Sequence, residues 1–292
     1  MRYKITHQTE YRYSDPVAIC QNQLRMFPRS DAQVVVNESS LSIDPVPDSI
    51  ERHRDYFGNL VETFAIESLH HRLDVCVTSD VTINPPQDAQ SVAPQSWEEI
   101  ASTISTSRDE KTLAVGEFAF DSPRIGRSEA FADYARRSFA SGRSIIDASL
   151  DLTKRIYKDF RYDTTATHVN THVEEAFTLR AGVCQDFAHI ELGCLRSLGI
   201  PARYVSGYLR TDPPPGKPRL VGSDESHAWI SVYAGHDVGW IDMDPTNACL
   251  VGLDHIPICV GRDYGDVTPM RGVVLGGGLT TLQVKVDVEP LS

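Results

Sequence analysis

Residues 180–201, RAGVCQDFAHIELGCLRSLGIP, contain the most informative pattern in the sequence. Apolar residues recur in it at intervals of three and four, which predicts a helix with one buried face: Phe187, Ile190, Cys194 and Leu198. Gly199 and Pro201 are residues that end helices. The predicted helix therefore begins near Cys184, which lies in its first turn.

The position of Cys184 suits a reactive thiol. Free backbone N–H groups and the positive end of the helix dipole favour a thiolate there, and Gly182 would let the chain turn and a substrate come close. An inert packing cysteine fits this helix equally well, although Cys194 on the apolar face is the better candidate for that role. A zinc site with His189 is less supported, because no second closely spaced ligand pair is nearby.

A second informative segment is SHAWISVYAGHDVGWIDMDPTN, residues 226–247. It contains two alternating runs, which predict antiparallel strands joined by a four-residue loop at 234–237. Such a loop pairs Tyr233 with Val238 and so fixes the register of the hairpin.

In that register His227 lies directly opposite Asp244. Facing side chains are close enough for an imidazole to donate to a carboxylate, whereas Asp242 would be a diagonal neighbour. A carboxylate on one ring nitrogen leaves the other free to serve a nucleophile. A lone histidine is more often a structural side chain, and spacing alone does not bring this pair to Cys184. No partner is evident for His255 or for the remaining histidines.

The rest of the chain separates into a β-rich part and a mixed part. Short alternating runs fill residues 1–83, and three prolines mark 84–96 as a linker. Residues 97–292 follow with helical spacing first and alternating runs after, an α+β order that ends in the strand TTLQVKVDVEP. The polar segment 211–225 is equally compatible with a wall of a substrate cleft and with an ordinary loop.

The composition of the chain argues against several classes of partner. The chain has 292 residues, 41% of them hydrophobic, and a formal net charge of −12, which disfavours nucleic acid and anionic membrane surfaces as partners. The N-terminus has no continuous apolar segment, so we expect a cytoplasmic protein. Six irregularly spaced cysteines do not resemble a disulfide framework. His168 and His172 have a metal-compatible spacing, but their neighbours favour a loop.

The blocks GVCQDFAH, SHAW and GWIDMDPTN together resemble the transglutaminase-like core of bacterial proteins. HQTEYRY, LRMFPR and DYFGN are similar to the β-rich region that precedes this core, and GRDYGDVTPMRGV is similar to its tail. The resemblance implies an α+β, papain-like fold in which a helix packs on an antiparallel sheet behind an N-terminal all-β domain. It also implies that the cysteine meets the histidine and the aspartate.

Position by position, the resemblance matches the nucleophile to Cys184, the histidine to His227 and the aspartate to Asp244. Two departures lie outside these three residues: Ser231 stands where an acidic residue is common, and AGHDVG replaces a proline-glycine turn. The acidic calcium loops of the animal enzymes are not found. We therefore expect no cofactor and no metal.

The expected activity is cysteine-dependent acyl transfer through a thioester, with hydrolysis of a peptide, protein or amide substrate as the favoured outcome. Two alternatives remain open: transamidation of glutamine side chains, and a catalytically silent binding protein that retains the fold. An intact set of cysteine, histidine and aspartate argues against the silent protein. Sequence gives neither the natural substrate nor the oligomeric state.

Overall fold

The structure is a computed structural model that describes residues 1–85, 95–211 and 225–291. Most of the predicted linker 84–96, and most of the polar segment 211–225, lie outside the described residues. Within the described ranges, no helix combines the length and the apolar character needed to cross a lipid bilayer.

A seven-stranded antiparallel sheet forms the first layer. Its strands, numbered in chain order, are β1 (Arg2–Leu24), β2 (Val34–Asp44), β3 (Ser49–Arg54), β4 (Leu60–Ile66), β5 (His70–Ile83), β13 (Met270–Gly276) and β14 (Thr280–Leu291). The order is β2-β5-β1-β4-β3, and β13 and β14 also pair with β1. Alternation in the sequence becomes alternation of burial: along β5, Leu73, Val75 and Val77 are buried while their neighbours are not.

The C-terminal strand joins this first sheet and not the second one. β14 runs antiparallel to the first half of β1, from the pair Arg2–Leu291 to the pair Tyr13–Thr280. The sequence places this strand in the mixed part of the chain, residues 97–292, because alternation predicts a strand but not the distant strand with which it pairs. The boundary near residue 84 stays a prediction.

The second layer is a five-stranded antiparallel sheet with the order β11-β10-β9-β8-β12. Its strands are β8 (Ala202–Leu209), β9 (Glu225–Tyr233), β10 (Trp240–Asp244), β11 (Cys249–Leu250) and β12 (His255–Gly261). The α-helices within the described residues are α1 (Trp97–Thr106), α2 (Glu110–Gly116), α3 (Glu129–Arg136), α4 (Ile145–Asp159), α5 (Val173–Leu179), α6 (Cys184–Ser197) and α7 (Tyr264–Val267). The short strands β6 (Arg161–Tyr162) and β7 (Ala181–Gly182) form a parallel pair.

Helix α6 lies on the second sheet. It packs against β8 and β9 on one side and against α3 on another, and every residue from Asp186 to Arg196 is buried. Gly199 adopts a φ of 75°, which ends the helix as its sequence predicts. The expected α+β fold, with a helix on an antiparallel sheet and a β-rich N-terminal region, is confirmed.

One amide side chain joins the two layers. Asn59, in the loop before β4, donates from Nδ2 to the Val260 carbonyl at 2.8 Å and accepts from the Val260 N–H at 2.9 Å. Val260 lies on β12, at an edge of the second sheet, so the Asn59 amide takes the place of a neighbouring strand there. Asn59 has no exposed surface.

We predict that Asn59→Ala lowers the free energy of unfolding by about 1–3 kcal/mol, because both polar groups of buried Val260 lose their partner. Urea unfolding measures this loss. Asn37→Ala is the control, since exposed Asn37 also makes two side-chain hydrogen bonds, and its effect should stay within about 0.5 kcal/mol. Equal effects of the two substitutions would contradict the joining role of Asn59.

Candidate active site

Cys184 is the first residue of α6 and is half-buried. Val183 precedes it in an extended conformation, and the Val183 N–H donates to the Asp186 carboxylate at 2.8 Å. Thr167 donates to the same carboxylate oxygen at 2.6 Å. The start of the helix is therefore fixed from both sides, and the first-turn N–H groups have no partner within the helix.

Gly182 is required by the packing of Asp186. A Cβ atom at residue 182 would lie 2.4 Å from Asp186 Oδ2 and 2.8 Å from Asp186 Cβ. From the sequence, this glycine is expected to allow a sharp turn and the approach of a substrate. In the structure, the absence of a side chain at Gly182 leaves room for the Asp186 carboxylate, which caps α6.

His227 and Asp244 meet as the sequence predicts. The His227 Nε2–H donates to Asp244 Oδ2 at 2.8 Å, and the two residues are 7% and 0% exposed. The Cys184 thiol lies close enough to the His227 side chain to help raise the pKa of the imidazole. Because Nε2 faces the carboxylate, Nδ1 is the ring nitrogen left for the sulfur.

The predicted register of the β9–β10 hairpin is wrong by two residues. Tyr233 pairs with Trp240, not with Val238, because the loop between the strands is two residues longer than expected. A shift of two preserves the face on which each side chain lies. His227 and Asp244 are therefore diagonal neighbours on one face, and the choice of Asp244 survives for a different geometric reason.

Asp242, the competing carboxylate, has another task. It accepts a hydrogen bond from the Trp229 indole Nε1–H at 3.0 Å. The Trp229 ring in turn lies 6.1 Å from the His227 ring and 5.3 Å from the His255 ring, centroid to centroid. Asp242 thus fixes the aromatic side chain beside the two imidazoles and does not contact them itself.

Five donors converge on the Asp244 carboxylate. Oδ1 accepts from the backbone N–H groups of Thr246 at 2.8 Å and Asn247 at 3.2 Å. Oδ2 accepts from His227, from the Asn247 side-chain amide at 2.7 Å and from His255 Nε2 at 3.0 Å. Burial opposes the charge, but the hydrogen bonds from His227 and His255 hold the pKa of Asp244 well below its usual range. The carboxylate is therefore anionic in a fully buried place.

The same environment favours a protonated His227. Burial lowers the pKa of its imidazole, but hydrogen bonds with Asp244 and Cys184 outweigh that effect and raise the pKa to about 10. A protonated imidazole beside a sulfur can stabilise a thiolate and later donate its proton. The arrangement has the elements of nucleophilic catalysis by a thiol.

The role of His255 is not evident from the sequence. This residue lies at the start of β12, and the strand order puts β9 and β8 between β12 and β10, so no local spacing predicts its contact with Asp244. Asn247 was also missed as a donor, although its position in the DPTN block, three residues after Asp244, is typical of a turn whose N–H groups return to an aspartate.

His227, Asp244 and His255 also have the chemical character of a metal site. Their ligand atoms lie within 4.8 Å of one another, and imidazoles with a carboxylate suit Zn²⁺. The hydrogen bonds already use these atoms, and the Asn247 amide directs its N–H at the same oxygen that would face a cation. A donor N–H beside this oxygen favours hydrogen bonding over the binding of a metal ion. The sequence-based expectation of no metal stays a prediction.

Comparison with known proteins identifies the class to which this fold and site belong. The model of the bacterial transglutaminase-like N-terminal region matches residues 3–82, and that of the transglutaminase-like superfamily matches residues 132–245. An uncharacterized protein of Mycobacterium tuberculosis is 38% identical, over 99% of this chain and 93% of its own length. The chain belongs to the transglutaminase-like superfamily, as its motifs indicated.

Two further relatives carry more specific descriptions. A protein-glutamine gamma-glutamyltransferase of Pseudomonas aeruginosa is 31% identical over 121 residues, which cover 41% of this chain and 18% of that protein. The crystal structure of a candidate cysteine protease from Cytophaga hutchinsonii superposes with a TM-score of 0.76 at 21% identity, covering 100% of this chain and 92% of the other. The latter likeness shows a shared fold.

We predict that the raised pKa of His227 makes the folded protein less stable as the pH rises. Between pH 6.5 and about 10 the folded state retains a proton on His227 that the unfolded state has lost. The stabilisation is therefore complete below pH 6.5 and disappears as the pH passes through the folded pKa. Urea unfolding across this range measures the slope.

Asp244→Asn should flatten that slope, because the charged hydrogen-bond partner of His227 is removed. Asp242→Asn is the matched control, since its remaining side-chain oxygen can still accept from Trp229, and it should keep the wild-type slope. A flatter slope in the Asp242 variant than in the Asp244 variant would contradict this assignment of the two carboxylates.

Proposed function

We propose that the protein is a cysteine-dependent acyl-transfer enzyme. Cys184 is the nucleophile, His227 the general base and acid, and Asp244 the residue that orients His227. The observation that carries this proposal is that the Cys184 thiol at the start of α6 helps raise the pKa of His227, whose ring donates to the buried Asp244 carboxylate. Membership of the transglutaminase-like superfamily supports it.

The first half of the reaction forms a thioester. The Cys184 thiolate attacks a carbonyl carbon, and the electron pair of the C=O bond moves to oxygen. As the tetrahedral intermediate collapses, the C–N bond breaks, and the departing amine or ammonia takes the proton of the His227 imidazolium. The backbone N–H of Cys184, unpaired within the helix, is the proposed donor to the oxyanion.

The second half releases the acyl group and restores the enzyme. His227, now neutral, accepts a proton from water or from a primary amine as that molecule attacks the thioester carbon. The C–S bond breaks, and the cysteine leaves as a thiolate beside the imidazolium. Asp244 keeps Nε2 of His227 protonated throughout, so that Nδ1 is the nitrogen that exchanges protons with the reacting groups.

Hydrolysis of a peptide, protein or amide is the proposed outcome. Water needs no binding site of its own, whereas transamidation needs a place for the amine. Transamidation is the second candidate because the Pseudomonas aeruginosa relative is named as a glutamyltransferase. The acidic net charge still argues against nucleic acid as a partner, and the cytoplasmic location remains part of the proposal.

Turnover of a mixed peptide and amide library, followed by mass spectrometry with and without an added primary amine, tests this function. We expect Cys184→Ala to reduce turnover by at least about a thousand-fold through loss of the nucleophile. Cys194→Ala is the control, because Cys194 is a fully buried cysteine on the same helix, and it should retain turnover.

The products separate the candidates. Release of free acids in the presence of the amine supports hydrolysis, and mainly amine-linked products would replace hydrolysis by transamidation. Near-normal turnover by Cys184→Ala would end the proposal of a cysteine enzyme. If the wild-type protein shows neither turnover nor the mass of an acyl-enzyme, the silent binding protein would be favoured.

A further inference from the structure

His255 and His227 share one carboxylate oxygen. Their Nε2 atoms lie 3.0 Å and 2.8 Å from Asp244 Oδ2, and their ring centroids are 6.1 Å apart. His255 is as buried as His227, at 7% exposure. It lies outside the segment matched by the superfamily model, which ends at residue 245.

The surroundings of His255 determine which nitrogen carries its proton. The Gly252 backbone N–H approaches His255 Nδ1 at 3.5 Å and so faces it as a donor. Nδ1 is therefore the acceptor, and Nε2 carries the hydrogen that points to Asp244. A neutral His255 in this tautomer satisfies both of its ring nitrogens.

The Asp244 carboxylate has more donors than it has lone pairs. A carboxylate offers about four acceptor directions, and five donors surround this one. The two backbone donors hold Oδ1, so the competition falls on Oδ2. Each hydrogen bond to Oδ2 weakens the other hydrogen bonds to that oxygen, including the one from His227.

We propose that His255 is a positioning residue for the Asp244 carboxylate. Its hydrogen bond fixes the carboxylate and compensates part of the negative charge, so that Asp244 orients His227 and still allows the imidazolium to release its proton. This rests on the proposed function, because it assigns His255 a part in the same reaction. A carboxylate with fewer donors would hold the His227 proton more tightly and would also be freer to rotate. Both effects slow the transfer of that proton to the leaving group.

Other ionisable groups near this cluster must be included in any pH experiment. Burial, with the charge of Asp244 as a further cause, raises the pKa of Glu191 on α6 to about 8 and raises that of Cys249 on β11. Asp254, next to His255, is paired with Arg210 at 2.7 Å. The thiol of Cys184 acts on His227 directly.

The first test is nitrogen NMR of the histidine side chains in the Cys184→Ala protein. Loss of the thiol removes one cause of the raised His227 pKa, so this pKa should fall to a value that is easier to titrate. His255 should carry a hydrogen on Nε2, the ring nitrogen that faces Asp244. A His255 that carries hydrogen on Nδ1 and none on Nε2 would overturn the proposal, and this test needs no substitution of His255.

The second test changes His255 in the same background. His255→Leu removes the donor and should raise the pKa of His227, whereas His255→Gln retains an N–H near the same place and should leave it nearly unchanged. His70→Leu is the control, because it removes an equally buried histidine from β5 in the first sheet. No change of the His227 pKa in folded His255→Leu would contradict the sharing of Asp244.

Activity provides the third readout, in protein that retains Cys184. His255→Leu should lower kcat by about 10- to 100-fold, the effect expected for one hydrogen bond to a charged group, with KM nearly unchanged and with recovery in His255→Gln. Unchanged kcat in the leucine variant would overturn the role in the reaction. The NMR result does not depend on turnover, so failure of the proposed function remains distinguishable from failure of this inference.

Discussion

A negative charge buried without access to solvent is the constraint on which the site depends. Asp244 has no exposed surface, and an unpaired carboxylate in such a place would be very costly. Five hydrogen bonds offset that cost, and two of them come from imidazoles. The charge of Asp244 in turn keeps His227 protonated, and the Cys184 thiol contributes to the same effect.

The fold brings these groups together from separate parts of the chain. The cysteine is placed by the capped start of α6, the first histidine and the aspartate by neighbouring strands, and the second histidine by the far strand of the same sheet. The β-rich layer supports this arrangement through the Asn59 amide at the edge of β12, the strand that begins with His255. Phe57, from the same loop as Asn59, packs on the cluster that contains Trp229, so the first layer contacts the surroundings of both imidazoles.

Local sequence patterns are sufficient to predict several helices and strands and part of the candidate site. Spacing of apolar residues gave the buried face and the end of α6, and alternation gave β9, β10 and β14. The face shared by His227 and Asp244 was also predictable, because a period of two is unchanged by the two-residue error in the loop. The contact of this pair with Cys184 came only from the resemblance of the three blocks to a known family.

Long-range partners were not predictable. The sheet to which β14 belongs, the approach of Asp186 to Gly182 and the contact of His255 with Asp244 all depend on which elements meet in three dimensions. A histidine at a strand start carries no signal for a carboxylate three strands away in the sheet. Such contacts become evident only when the strand order is known.

Selective alkylation of Cys184 is a direct test of whether this cysteine is an activated nucleophile, because it requires no substrate. Burial raises the pKa of each of the other five cysteine thiols, which should make them slow to react. With brief, limiting iodoacetamide near neutral pH and peptide mapping, we predict fast labelling confined to Cys184 and its loss in His227→Ala. Labelling of Cys184 no faster than that of the other cysteines, or equally fast without His227, would contradict the account.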